Sequence, residues 1–281
     1  MRLFSIFIFI FLLYTENYSQ VTDTIYLWTG SVPGEKGPKH GPVQTPDTSR
    51  GVTRLTDVTD PALLVFKPET SVNNGSSIII CPGGGYRILA IDIEGSEIAK
   101  WLNKLGFTAY VLQYRVPDKK QEALYDIQRA VRLVRNRTKT GKTGVLGFSA
   151  GGSLCARACT LYNRETYPET EPVDSISCRP DFAVLIYPAY LDQGEDRSLT
   201  PELKVDKNTP PMFIFGTADD KYGNSSLVMA GALRDNEVPV ELHFLSFGGH
   251  GYGLRPGNAA AETWPRLAAI WLKKITPESE F

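Results

Sequence analysis

Apolar residues recur along this chain with two different periods, and the periods alternate. Ser77–Cys81 (Ser-Ile-Ile-Ile-Cys) is a short unbroken apolar run, the pattern of a strand buried on both faces of a sheet. Glu97–Leu105 then carries Ile98, Trp101, Leu102 and Leu105, at i, i+3, i+4 and i+7, which is one face of a helix. Gly106 follows where a helix-ending glycine belongs. Phe107–Gln113 reads as the next strand, and Leu124, Ile127, Val131 and Val134 line one side of the following helix. Gly144–Phe148 predicts a short central strand. Ala183–Tyr187, Met212–Phe215 and Glu241–Phe247 predict further strands, with helical patterns near Ser225–Asp235 and Ala259–Ile275. Upstream, residues 28–51 are rich in Gly, Pro and Lys and read as irregular. Thr53–Val58 and Ala62–Phe66 read as a strand pair at the sheet edge.

Such strand–helix alternation argues for an α/β fold, a mostly parallel central sheet of about eight strands with helices on both faces. No internal repeat or low-complexity linker interrupts it, so residues 20–281 read as one domain. In sheets of this kind ligands bind outside the carboxyl ends of the strands, and the chemistry is expected there.

Composition adds compartment and excludes some functions. Arg2 precedes the apolar stretch Leu3–Leu13, and polar Thr15-Glu16-Asn17 follow. That run is short of the ~20 residues needed to span a bilayer and reads as a secretory signal over residues 1–19, cleaved near Ser19 or Gln20. A secreted or periplasmic location is expected, without stable membrane insertion after the signal is removed. The 30 basic and 31 acidic residues nearly cancel, with no basic stripe, so nucleic acid is not an expected partner. Four cysteines (Cys81, Cys155, Cys159 and Cys178) are too few to build a disulfide scaffold. Cys155 and Cys159 lie one helical turn apart, and an oxidising compartment would permit one bridge, with Cys178 a possible partner. The three histidines form no cluster with zinc spacing. No metal and no cofactor is expected.

The sharpest chemical signal is Gly147-Phe148-Ser149-Ala150-Gly151-Gly152, a Gly-x-Ser-x-Gly run between a strand and a helix. In that context it is a nucleophile elbow, with Ser149 raised at the sheet edge on a strained turn. A serine hydroxyl needs a base. His40 lies in the irregular N-terminal segment and His243 inside a strand. His250 lies in the glycine-rich loop Gly248-Gly249-His250-Gly251 just past the last strand, where it can reach the carboxyl edge, so His250 is the expected base. The imidazole needs an acid to hold its tautomer. The strand Met212–Phe215 runs into Gly216-Thr217-Ala218-Asp219-Asp220, in the chain order serine, acid, histidine. Of the two carboxylates Asp219 is favoured, leaving Asp220 to a loop or cap; Asp192 is a weaker rival. Cys81-Pro82-Gly83-Gly84-Gly85-Tyr86 follows the first buried strand. Its glycines can turn amides inward, so Gly84 or Gly85, with the amide of Ala150, are the expected oxyanion donors. Tyr86 and Tyr190 offer rings on which a sugar could rest.

Together these stretches resemble the carbohydrate-esterase branch of the α/β-hydrolases, including Bacteroidetes-type acetyl-xylan and feruloyl esterases, whose genes are often labelled as xylanase-associated. The resemblance is carried by Leu27-Trp28 with Pro33-Gly34, Pro82–Tyr86, Tyr114-Arg115, Gly147–Gly152, Arg179-Pro180-Asp181-Phe182, Tyr187-Pro188, Asp219-Asp220 and Gly249–Gly253. It covers nearly all of the chain after the signal. It implies an α/β-hydrolase fold and hydrolysis of small acyl esters on plant polysaccharide, with an acylated carbohydrate as partner. One departure stands out. Pro82 occupies the place where lipase-like relatives carry a histidine before the glycines, so that side chain's support of the oxyanion loop is missing.

Other residues read as structural. Arg115 and Asp126 suit an ion pair behind the site, and Arg129, Arg132 and Arg135 a solvated helix face. Three other functions compete, one of them a non-catalytic binding module on the same fold, disfavoured because every catalytic part is present. A glycosidase needs two carboxylates flanking the sugar bond, and no motif places such a pair. A serine peptidase of the prolyl-peptidase-like type also carries a Gly-Thr-Ala-Asp-Asp run, but usually with an extra domain for which this chain has no room.

Overall fold

The computed structural model describes residues 21–138, 141–164 and 166–276; the expected signal lies outside them. In chain order the strands and helices are β1 Asp23–Tyr26, β2 Val43–Gln44, β3 Arg54–Thr56, β4 Ala62–Phe66, β5 Ser77–Cys81, β6 Leu89–Ala90, α1 Glu97–Lys104, β7 Thr108–Gln113, α2 Lys120–Arg137, β8 Thr143–Phe148, α3 Ala150–Thr160, β9 Ala183–Ile186, β10 Met212–Thr217, α4 Asn224–Asp235, β11 Val240–Leu245 and α5 Ala259–Ile275. Eight strands form one sheet in the order β1-β4-β7-β5-β8-β9-β10-β11. β1 and β4 are antiparallel to their neighbours, and the strands from β7 to β11 run parallel.

The apolar run that opened the sequence reading is central. β5 lies between β7 and β8 and is buried at every position. Its side chains alternate, with Ile79 and Cys81 entering the core half shared with α2, α3 and α4 and Ile78 and Ile80 entering the half shared with α1 and α5. Helices thus cover both faces, which is why the parallel strands read as continuous rather than alternating apolar runs. Register then sets where the chemistry can be. Phe148 pairs with Ile186, Ile186 with Phe215 and Thr217 with Leu245. The carboxyl ends of β8, β9, β10 and β11 therefore finish level, and the loops after them meet.

Two expectations are corrected. Thr53–Val58 does not pair with Ala62–Phe66. Only Arg54–Thr56 is extended, in a separate three-stranded sheet with β2 and β6, and β4 sits between β1 and β7. The left-handed turn at Asp57, φ 51°, sends the chain off in a new direction between them. The arginines of α2 are not a solvated face. Arg129 is fully buried against Asp174 and Glu171, Arg132 bonds Tyr167 and the carbonyl of Ile176, and Arg135 pairs with Asp181, because the segment leading to β9 wraps along this helix. The four cysteines, whose pairing the sequence left open, are free and buried. The Cys178 thiol donates to the carbonyl of Tyr162 at 3.1 Å rather than bridging to α3. The expected pair behind the site is present, with Arg115 meeting Asp126 at 2.8 Å and both side chains fully buried.

Candidate active site

The elbow is built by what its glycines leave out. A Cβ at Gly147 would stand 2.2 Å from the carbonyl oxygen of Gly151, and one at Gly151 would stand 2.0 Å from that of Cys81. Both contacts are to backbone and cannot be relieved by a rotamer. Ser149 between them takes φ 52°, ψ −117°, a strained conformation for a side-chain-bearing residue. The strain is held by hydrogen bonds on both sides. The Ser149 amide donates to Ile186 at 3.2 Å, and its carbonyl accepts from Ser153 and Ala189. Ala150 opens α3, so its amide is a first-turn donor without an intrahelical acceptor.

The loop after β11 brings His250 to this point. Its Nε2 lies 2.7 Å from Ser149 Oγ and its Nδ1 lies 2.6 Å from Asp220 Oδ2. With the proton on Nδ1 donating to the carboxylate, Nε2 is left to accept the serine proton. The Asp220 side chain is 1% exposed, and that of His250 27% exposed. The second Asp220 oxygen accepts from the amide of Tyr222 at 3.0 Å. The imidazole is also flanked by rings, with Tyr187 and Tyr222 each centred 5.0 Å away.

Asp219, expected to orient the imidazole, does not touch it. Its carboxylate accepts from the amides of Gly249 at 2.9 Å and Gly248 at 3.2 Å. Those bonds, Gly249 first, hold its carboxyl below the usual carboxylate range. The reason is the turn that leaves β10. The Asp220 amide closes back on Thr217, which turns the second carboxylate inward and leaves the first at the surface. Asp219 thus ties down the backbone of the loop whose side chain Asp220 faces. Asp192, the weaker rival, is engaged by Arg197, Asn224 and Ser225. His40 and His243 lie in the places expected of them, bonded to Gly41 and Glu241.

Opposite the histidine runs the glycine loop. Gly84 and Gly85 take φ 135° and 67°, and a Cβ at Gly84 would meet the Ile88 carbonyl at 2.1 Å. Where a histidine would have supported this loop, other groups do so. The Tyr114 hydroxyl donates to the carbonyl of Pro82 at 2.7 Å, and the Gly83 amide donates to Glu94 Oε2 at 2.7 Å. The Gly83 amide is thereby spent, leaving Gly84 and Gly85 as the loop's candidate oxyanion donors beside Ala150. The loop lies against the nucleophile, since a Cβ at Gly83 would be 2.9 Å from that of Ser149.

The two tyrosines part company. Tyr86 is 1% exposed and packs on Tyr114, so its ring is not an open platform. Tyr190 stays partly exposed at the rim, with its hydroxyl 3.6 Å from where a Gly85 side chain would begin. Its ring meets Tyr222 at 5.4 Å, and the Lys120 ammonium lies 5.3 Å from the ring centre. No group of three or more metal-ligating side chains occurs among the described residues, and no helix among them is long and apolar enough to cross a membrane.

Residues 93–250 match the family model described as serine hydrolase (FSH1). The chain belongs to this serine hydrolase family. The match runs from the turn carrying Glu94 to His250 and so spans the elbow and both aspartates. The serine hydrolase is 25% identical over 269 residues to an acetylxylan esterase of Xylanibacter ruminicola, covering 85% of this chain and 53% of that protein. It is 32% identical over 222 residues to endo-1,4-beta-xylanase B of Butyrivibrio fibrisolvens, covering 68% of this chain and 34% of that protein. The chain therefore spans about half of one curated relative and a third of the other. Among solved structures, the acetyl ester-xyloside bifunctional hydrolase of Caldicellulosiruptor lactoaceticus superposes with a TM-score of 0.74 at 30% identity, covering 92% of this chain and 98% of that one. The fold is that of the α/β-hydrolases.

Sequence reasoning missed Glu94, Tyr114, Tyr187 and Tyr222. Tyr187-Pro188 and Tyr114-Arg115 were visible as motifs without a stated role. Glu94, in the run Ile91-Asp92-Ile93-Glu94-Gly95, carried no signal of its own.

Proposed function

We propose that the chain hydrolyses small acyl esters, acetyl esters first, on a plant polysaccharide such as xylan, and does so outside the cytoplasm. The observation that carries the reading is the unbroken line Ser149–His250–Asp220, at 2.7 and 2.6 Å, beside the glycine loop that lies against Ser149. His250 Nε2 takes the proton of Ser149 as Oγ attacks the acyl carbonyl. Charge then gathers on the carbonyl oxygen, where the amides of Ala150 and of Gly84 or Gly85 receive it. One such donor is worth about 3–4 kcal/mol of transition-state stabilisation. His250 next gives its proton to the departing sugar oxygen, leaving an acyl-Ser149. Water activated by the same imidazole releases the acid.

The polysaccharide is argued from likeness to proteins named as acetylxylan esterase and acetyl ester-xyloside hydrolase. Small acyl groups are favoured because the long segment between α3 and β9, a place where a large lid could be built, is tied along α2, where Asp174 and Asp181 bind its arginines. The apolar run Leu3–Leu13 supports export.

Cleavage of the glycosidic bond is the second reading, prompted by the bifunctional neighbour. The carboxylates beside the serine disfavour it. Asp220 is held by His250, Asp219 by two loop amides, and Glu94 is buried with both oxygens bonded, so none is placed to flank a sugar bond. The test is acetylated xylan, assayed in parallel for acetate and for new reducing ends. The expected result is acetate without reducing ends; reducing ends without acetate overturn the reading.

A further inference from the structure

Glu94 is 4% exposed and stands beside the nucleophile. The space a Gly83 side chain would fill is bounded by Glu94 Oε2 at 2.6 Å, the Phe148 carbonyl oxygen at 2.8 Å and Ser149 Cβ at 2.9 Å. Burying a carboxyl here is costly unless its oxygens are satisfied, and burial pushes this carboxyl up. Neither oxygen is matched to a lysine or arginine. Oε2 accepts from the amide of Gly83 and Oε1 accepts from the hydroxyl of Tyr187, each at 2.7 Å. The Tyr187 oxygen in turn accepts from the amide of Gly253 at 3.1 Å, three residues after His250, and the Tyr187 ring packs on that imidazole.

A single chain of hydrogen bonds therefore runs from the loop that carries the oxyanion donors to the loop that carries the base. Glu94 is its centre. The turn bearing it, Asp92–Ser96, is a π-helical turn leading into α1, a form that recurs at functional sites. The histidine loop is fitted to the same turn, because a Cβ at Gly253 would stand 2.8 Å from the Ile93 carbonyl oxygen.

We infer that Glu94 is a positioning residue for ester hydrolysis, using its two oxygens to hold the glycine loop and the histidine loop in register across Ser149. Fixing the Gly83 peptide from one side by Glu94, and the Pro82 carbonyl from the other by Tyr114, sets the direction of the Gly84 and Gly85 amides. Fixing Gly253 through Tyr187 sets the reach of the imidazole. An amide at position 94 keeps the shape but offers one oxygen where two are needed: with that oxygen on the Gly83 N–H, its NH₂ donates to the Tyr187 oxygen, whose O–H then loses its acceptor, and the reverse orientation sets NH₂ against the Gly83 N–H, donor against donor.

This inference rests on the ester-hydrolase reading. The experiment uses the full chain with p-nitrophenyl acetate, the active sites being counted by exhaustive labelling with a serine-reactive phosphonate. Glu94→Gln should lower kcat per labelled site by about 10- to 100-fold, the scale of a small misplacement of reacting groups, with KM changed less than about threefold. Tyr187→Phe should lower it by about 3- to 30-fold, and the double variant should be little worse than Glu94→Gln alone, because the two residues act in one chain. A merely structural role would reduce the number of labelled sites and leave kcat per site alone. Glu94→Gln with kcat per site within twofold of wild type, or a loss confined to KM or to the labelled fraction, overturns the inference. Should Glu94→Gln not fold, Tyr187→Phe decides by the same limits. A wild-type chain inert to the ester overturns both readings; an active wild type with an unaffected Glu94→Gln overturns this one alone.

Discussion

Replacing Asp220 by asparagine removes one charge and little volume at the end of a fully formed hydrogen-bond line. The carboxylate meets His250 Nδ1 at 2.6 Å with its side chain 1% exposed, so solvent screens it poorly. When His250 takes the serine proton, the positive charge is spread over a ring centred roughly 4 Å from the carboxylate charge. At that separation and an effective dielectric of about 20, the attraction is about 4 kcal/mol. At ~1.4 kcal/mol per tenfold, that amounts to about three orders of magnitude in rate. The asparagine can also present its NH₂ to Nδ1 and so favour the wrong tautomer, a loss in the same direction. Asp220→Asn should therefore lower kcat on p-nitrophenyl acetate by about a thousandfold. Asp219→Asn keeps an acceptor for one loop amide at an exposed position and should stay within about threefold of wild type. Steady-state rates of the two variants, normalised to labelled active sites, make the comparison. If Asp219→Asn were the crippled variant and Asp220→Asn the mild one, the assignment of the acid from geometry would be wrong.

Other outcomes follow from the packing. Gly151→Ala places a methyl 2.0 Å from the Cys81 carbonyl oxygen and should cost at least about 3 kcal/mol in a urea melt, the upper end of overpacking. Asp126→Ala leaves the buried Arg115 without its partner and should cost about 3–5 kcal/mol by the same melt. The Asp219 carboxyl is lowered in the folded chain, so its contribution is present above the ordinary carboxylate range and fades as pH falls through the lowered value. Wild type should accordingly be more stable than Asp219→Ala at neutral pH, and their melting temperatures should converge only in acid below the lowered Asp219 value. With the segment between α3 and β9 packed along α2, acetyl esters should be cleaved at least about tenfold faster than octanoyl esters in kcat/KM, or about 1.4 kcal/mol; an octanoyl preference contradicts the small-acyl reading.

What the sequence made legible is what depends on local pattern. Ser77–Cys81 and Ala259–Ile275 could be bounded to the residue, because a run buried on both faces and a long helical face are each self-announcing. Ser149 and His250, which the structure brings within 2.7 Å of each other, could be singled out because one lies in a motif that demands its own backbone and the other is the histidine that follows a strand end. The acid was not decidable that way. Asp219 and Asp220 are adjacent, and which one turns inward is set by a hydrogen bond between Asp220 and Thr217 that no spacing reveals. β1 was missed because Asp23-Thr24-Ile25-Tyr26 is an edge strand, largely exposed and polar. The α2 arginines misled because the helical period shows which residues share a face but not that the distant segment around Asp174 covers it. Glu94 was invisible for the deeper reason that its partners are backbone amides and a tyrosine hydroxyl brought together from three loops.

The central claim is that Ser149, driven by His250 and Asp220, is the nucleophile of an ester hydrolase. The most direct measurement joins rate and label. Wild type and Ser149→Ala are assayed on p-nitrophenyl acetate, and the wild type is treated with a serine-reactive phosphonate and mapped by peptide mass. The account predicts one adduct, on the peptide bearing Ser149, complete loss of turnover on labelling, and a rate for Ser149→Ala lower by about a thousandfold or more. An adduct on another residue, or a Ser149→Ala rate within about tenfold of wild type, would contradict it.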